Sequence, residues 1–386
     1  MCYSFAQNLS FQFLPIFNRK LGADETQMGL LTAFQNVFSS LLSPFWGRAS
    51  DKRGRRIFLI FGGLISFLSA IVITFANTPN SVIIAVAFNS IGISIFLPVW
   101  AGALADFTEG RARAGFVGRV SGIGAAYVTV AMIIFTLVIP YFSISEITQY
   151  RIVMGISAIN FFIMTVIAFF YIDIGSVGTK LTKNKLFEPL KDKNYRNFLI
   201  VIMFWWLWMS LAWSYFPLVL TDTIDASLVQ IAILGIVGTI TQAISSYKFG
   251  PLIDKIGIRK SLIIGFLPFS LIPLFYGLAT SWQFVIIPQL IGGIGIGFGF
   301  TAMQAYILEI AGSEKAGAYQ GTYQILYGVV TFFGSLIGGV FLQWFAGYLG
   351  DLSKALTYSL FAIFLLRLLS NLAMIKFIPD LKSSAS

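Results

Sequence analysis

Nine stretches of 18 to 49 residues in this chain contain no Asp, Glu, Lys or Arg. A water-exposed surface cannot be built at that spacing, because a soluble domain is about 25 % charged. Here the charged share is 11 %, against 57 % hydrophobic residues. A helix crossing the hydrocarbon core of a bilayer needs roughly 20 apolar residues, and the stretches have that length or about twice it. The chain therefore reads as an all-α polytopic membrane protein. Residues 1–18, 26–47, 57–105, 120–145 and 152–172 form a first series, in which 57–105 divides at the turn signal Asn77-Thr78-Pro79-Asn80. Residues 197–221, 226–247, 261–308, 316–350 and 355–378 form a second; 261–308 divides near Thr280-Ser281, and 355–378 carries Arg367. Twelve membrane spans are expected, as an N-terminal six-helix bundle over 1–173 and a C-terminal one over 196–386. The basic linker 174–195 joins them.

Charge sets the orientation. With the N-terminus in the cytoplasm, the loops on that side hold 21 of the 26 Lys and Arg; the opposite loops hold Arg19, Lys20, Arg151 and Lys354. Such a positive-inside bias places both termini in the cytoplasm, in a plasma membrane crossed many times. It also accounts for the +10 net charge, so nucleic acid is not an expected partner; the bilayer is. Met1 enters the first span without a basic segment before it, so no cleavable signal peptide is expected. A single cysteine, Cys2, and no histidine leave neither a disulfide framework nor the commonest metal ligand. Neither a metal nor another cofactor is expected, and no nucleophile or acid–base pair in the spans suggests an enzyme.

The two series repeat each other. At an offset of 203 residues, Gly47, Asp51, Lys52, Gly54 and Arg56 fall on Gly250, Asp254, Lys255, Gly257 and Arg259. The same register carries Ala23, Gln27, Gly92, Asp106 and Gly118 onto Ala226, Gln230, Gly295, Glu309 and Gly321, without a gap. Two homologous six-helix halves are one of the repeat plans of secondary transporters. The loops after spans 2 and 8 resemble the signature of the major facilitator superfamily, Gly-x-x-x-Asp-(Arg/Lys)-x-Gly-(Arg/Lys)-(Arg/Lys), and the resemblance extends over the whole chain.

That resemblance implies the superfamily's fold of two pseudo-symmetric six-helix bundles and transport of a small-molecule substrate by alternating access. It also implies a cytoplasmic latch. Gly47 would let two helices approach, and Gly54 would permit a turn with φ > 0. Asp51 at the end of span 2 and Asp106 at the end of span 4 would pair with the cations Lys52, Arg55, Arg56 and Arg113. The second half offers a sparser copy in Gly250, Asp254, Lys255, Gly257, Arg259 and Glu309, since Ile258 stands in place of Arg55. The plainer alternative is that these residues set topology and solvate loop ends.

In this superfamily spans 1, 4, 7 and 10 line the cavity, joined by 2, 5, 8 and 11. Uncharged polar residues and indoles on them are the candidate substrate contacts: Asn8, Gln12, Gln35, Asn89, Trp206, Ser210, Trp213, Gln242, Gln304 and Gln324. Trp is also enriched at membrane interfaces, and small polar residues often bond between helices, so packing is the competing role. No Asp or Glu lies inside these spans, which removes the obvious proton site of a coupled carrier and any counter-charge for a cation. Span 5 has Gly118, Gly122 and Gly124 but lacks the proline of the drug–proton antiporter pattern. Arg367 is expected to snorkel or to pair with Asn371. The run Gly292-Gly293-Ile-Gly295-Ile-Gly297-Phe-Gly299 lies in mid-span without a following lysine, so close helix packing, not phosphate binding, is its expected use.

The expectation is a monomeric secondary transporter moving a neutral or amphipathic organic solute by alternating access. The alternatives are a non-transporting membrane sensor or assembly partner on the same fold, and a proton-coupled drug exporter.

Overall fold

The computed structural model describes residues 2–106, 127, 129–134, 136–142, 144–172 and 187–380. The helices follow the expected order: α1 (Cys2–Lys20), α2 (Glu25–Arg53), α3 (Arg56–Thr74) and α4 (Pro79–Asp106) come first. In α5, residues 129–134 and 136–138 are helical, and α6 (Glu146–Phe169) completes the first series. The second comprises α7 (Lys193–Thr223), α8 (Leu228–Ile256), α9 (Ile258–Gly277), α10 (Ile286–Gly312), α11 (Lys315–Leu349) and α12 (Leu352–Phe377). Nine of these, α3, α4, α6 and α7 to α12, are long and apolar enough to cross a membrane among the described residues. The helices α1 and α2, with 19 and 29 residues, have the length but are diluted by Gln and Asn. The outward faces of the apolar helices carry exposed hydrophobic side chains, Phe61, Leu68 and Val72 on α3, Ile159 on α6 and Trp344 on α11, as surfaces that meet lipid must.

The chain forms two compact units, residues 1–182 with 227–233, and residues 183–226 with 234–386. In the first, α3 packs on α4 and α6, while α2 packs on α4 and α1 on α6. Its apolar cluster joins Leu59, Phe96, Val99, Phe161, Met164 and Ala168. In the second unit, α7 packs against α11 and α12. Trp205, fully buried, meets Phe266 and Phe269 of α9 edge-on at 4.6 and 5.7 Å.

Repeat mates take equivalent local structure. Asp24 and Gln27 form a capping box at the start of α2, with bonds of 2.7 and 3.0 Å; Ser227 and Gln230, each 203 positions on, do the same for α8 at 3.3 and 2.9 Å. Gly62 on α3 touches the Phe96 backbone on α4, and their mates Gly265 and Gly299 touch between α9 and α10. A Cβ at Gly265 would run into the Gly299 backbone, so the glycine run of α10 serves close packing.

The units differ in their breaks. The helices α1 and α3 run through, whereas α7 opens into turns at 212–214 and ends in a π-turn over Val219–Thr223. The 3₁₀ turn Pro268–Ser270 interrupts α9, and a π-turn, Ile296–Phe300, lies within α10.

Candidate functional site

The signature loops have the backbone that their glycines suggest. Gly54 has φ 89° and ψ 155°, and Gly257 has φ 91° and ψ 141°, values open to glycine and strained for other residues. Gly47 differs from expectation: a Cβ there would lie 3.6 Å from the Pro98 Cβ, an ordinary contact, so close approach does not demand glycine. The Arg55 guanidinium lies against Gly102, one turn before Asp106 on α4, where any Cβ would displace it. Arg56 Nη2 donates to the Phe169 carbonyl at 2.5 Å, at the end of α6. Its mate Arg259 does the same for α12, donating to the Ile375 and Ile378 carbonyls at 2.8 Å each, with Asp380 3.3 Å from Nη1. Both arginines thus bind the negative end of a helix within their own unit. Glu309 and Asp254 are exposed, and neither pairs with Arg259. The side chains of Asp51 and Asp106, and the whole of Arg113, lie outside the described residues. Lys52 and Lys255 are exposed, and Gly250 is helical within α8.

Two groups of cavity candidates come together, one in each unit. In the first, Gln35 of α2 and Asn89 of α4 line a small cavity with Gln7, Ser90 and Met154. Its volume is about 20 Å³, room for one water and not for an organic solute. Asn89 Nδ2 reaches the Ser66 carbonyl at 3.4 Å, and Gln7 Oε1 is buried without a partner. Gln7 was not among the expected contacts, because the polar stripe of α1 is centred on Ser4, Asn8 and Gln12. Gln12 Nε2 donates to the Ile231 carbonyl at 2.5 Å, and the Asn8 side chain lies outside the described residues.

In the second unit the indole of Trp206 is the centre of an aromatic wall. Its Nε1 donates to the Tyr323 hydroxyl at 2.8 Å. Phe300 stacks on it at 5.4 Å, and Tyr327 and Trp213 meet it edge-on at 4.7 and 6.1 Å. Tyr323 and Tyr327, one helical turn apart on α11, stack at 6.1 Å. Trp213, Phe300 and Tyr327 remain partly open, as does Gln324 between the two tyrosines; Gln304 is exposed one turn beyond Phe300. Phe300 and Tyr327 were missed in the sequence, although each lies four residues from a candidate or its neighbour and so shares its face. Ser210 is elsewhere: it is buried, donates to the Leu207 carbonyl at 3.0 Å and packs against Gly334 of α11. Gln242 is exposed on α8, apart from the rings. Arg367 does not snorkel. It is wholly buried and bonds the Phe269 and Met209 carbonyls at 3.2 Å each, while Asn371 bonds Ser270 and the Phe266 carbonyl. No group of three or more His, Cys, Asp or Glu placed to hold a metal ion occurs among the described residues.

Duplicated helical bundles and outward apolar faces define a polytopic membrane protein of the transporter class, with partly open polar and aromatic faces in each unit. The family model of the Major Facilitator Superfamily matches residues 1–218 and 197–383, and the chain belongs to that superfamily of secondary transporters. The multidrug resistance protein MdtG of Proteus mirabilis is 24 % identical over 349 residues, covering 86 % of this chain and 84 % of that protein. An uncharacterized MFS-type transporter of Methanocaldococcus jannaschii is 22 % identical over 353 residues, covering 89 % and 85 %. Among solved structures, the nucleoside transporter NupG superposes with a TM-score of 0.76 at 14 % identity, covering 97 % of each chain; this likeness is one of fold.

Proposed function

We propose that the aromatic wall of the second unit binds a neutral or amphipathic, ring-bearing organic solute, which the protein carries across the plasma membrane as a monomer with both termini in the cytoplasm. The observation that carries this reading is Trp206, whose ring is held by Phe300, Tyr323 and Tyr327 beside the partly open Trp213. Indole and phenol faces gain from stacking and from excluding water, while Gln304 and Gln324 supply hydrogen bonds that fix orientation. The lack of Asp and Glu inside the cavity-lining spans supports a solute without positive charge and transport without a titrating group in the membrane. The similarity to MdtG, named a multidrug resistance protein, favours hydrophobic compounds among such solutes.

A thermal-shift screen of the purified protein against neutral aromatic metabolites and drugs tests the reading, since a bound ligand stabilises the fold by mass action. Trp206→Ala is expected to abolish the shift produced by every hit. Labelled hits are then expected to equilibrate across proteoliposome membranes without a pH gradient. A shift that survives Trp206→Ala, or gradient-driven accumulation abolished by Glu309→Gln, overturns it.

A further inference from the structure

Arg367 lies near the middle of α12 with none of its surface exposed. An ionised side chain inside a span is costly enough to be functional by default, and this one has backbone carbonyls as its partners, not a carboxylate. Each of those carbonyls lacks the donor four residues on that an unbroken helix supplies. In an unbroken α9 the Phe269 carbonyl would accept from the N–H of residue 273, which is Pro273 and has none. In an unbroken α7 the Met209 carbonyl would accept from the Trp213 N–H, which instead bonds Ser210 at 3.2 Å. Asn371, one turn beyond Arg367, serves a third: its Nδ2 donates at 3.4 Å to the Phe266 carbonyl, whose helical donor Ser270 N–H bonds Leu267 at 3.1 Å. Carbonyls at helix ends carry roughly half a negative charge per helix, so two such ends provide the counter-charge for one guanidinium.

The first unit shows the same position without the charge. The helices α6 and α12 begin at the caps Ser145 and Asp351. Phe161 stands as far beyond its cap as Arg367 does beyond its own, and Thr165 stands likewise to Asn371. Contacts support that register: Thr165 lies against Gly63 as Asn371 lies against Phe266, and Gly63 and Phe266 are repeat mates. Phe161 is 1 % exposed, in an apolar cluster with Ala6, the repeat mate of Met209. There α1 and α3, the counterparts of α7 and α9, run unbroken. The six-helix arrangement accepts an apolar side chain at this place, and the guanidinium occurs where the two helices are broken.

We propose that Arg367 is a positioning residue for transport: it keeps α7 and α9 broken, and through the α7 break it sets where Trp213 meets Trp206. The link to solute binding rests on the aromatic wall as the solute site; the breaks do not, and they can be measured without any solute. Helix 11 closes round the same break, with Ser335 Oγ donating to the Ser210 carbonyl at 3.2 Å and the Tyr215 hydroxyl to the Gly338 carbonyl at 2.8 Å. Once α7 has opened, its carbonyls are therefore held by side-chain donors from α12 and α11.

The test uses purified full-length Arg367→Met and Arg367→Lys. Hydrogen–deuterium exchange is followed over residues 207–218 and 264–274, with 2–20 and 56–74 as internal references. The near-ultraviolet circular dichroism contributed by Trp213 is taken as the difference between each protein and its Trp213→Phe derivative. Arg367→Met is expected to fold, to change exchange in both broken segments by about tenfold or more with the references unmoved, and to lose the Trp213 signal. Arg367→Lys, which cannot fork to both carbonyls as a guanidinium does, should retain part of that signal. Unchanged exchange and dichroism in Arg367→Met would overturn the proposal. So would an Arg367→Met protein that cannot fold, since the guanidinium would then be a requirement of the fold itself. Failure of the solute screen with a positive exchange result would sink the solute site alone.

Discussion

At the scale of single residues, glycines that look alike in the sequence divide by backbone angle. Gly54 and Gly257 hold φ near +90° with extended ψ, a region where a side chain costs about 1–3 kcal/mol. Gly47 is helical and has room for a methyl group. Gly54→Ala and Gly257→Ala are therefore expected each to lower stability by about 1–3 kcal/mol, and Gly47→Ala to change it by no more than about 0.5 kcal/mol. Thermal unfolding of the purified variants in detergent checks this; equal losses at Gly47 and Gly54 would contradict it. The sequence revealed which glycines repeat, because identity at an offset is visible in one dimension. It also told the turn glycine Gly54 from Gly47, but not that Gly47 has room for a methyl group, because that depends on how closely two helices approach.

At the scale of elements, the spans were legible, because alternation of charge-free stretches with charged loops gave the helices in order. The breaks were not. Proline sits inside α1, α2 and α4 without interrupting them, yet Pro268 and Pro273 accompany the break in α9. Whether a carbonyl without its helical donor can persist in a membrane depends on a donor supplied from elsewhere, and Arg367 is 98 and 158 positions from the two it serves. The proposed latch charges at the ends of α2 and α4 belong to this scale. Asp51→Asn and Asp106→Asn are expected to reduce transport about 5- to 150-fold, the range of a coupling energy of about 1–3 kcal/mol between conformations, with expression near normal. Transport assays on both variants decide it, and unchanged rates would reduce the two residues to topology signals.

At the scale of the whole molecule, the repeat and the charge bias make a joint statement about orientation. If 21 of 26 basic residues face inward, the linker 174–195 faces inward with them. In a protein whose Cys2 is replaced, Ser176→Cys and Thr179→Cys are expected to resist an impermeant thiol reagent added to intact cells and to react once the membrane is opened. Labelling from outside would invert the topology. Orientation belongs to this scale because each loop contributes only a bias, and the sum over loops decides.

The sequence by itself determined the class, the number and order of spans and the internal repeat. The reason is the bilayer: its thickness fixes helix length, and its lack of water forces the backbone to satisfy its own hydrogen bonds, so hydropathy and charge along the chain suffice. Only the tertiary structure decided which candidates meet. Helical periodicity tells that Trp206 and Ser210, four residues apart, share a face, but not what that face meets along α11, where Trp206 centres the aromatic wall and Ser210 packs on Gly334. It likewise placed Arg367, expected to snorkel or to pair with Asn371, wholly inside the second unit on the Phe269 and Met209 carbonyls, which belong to two other helices.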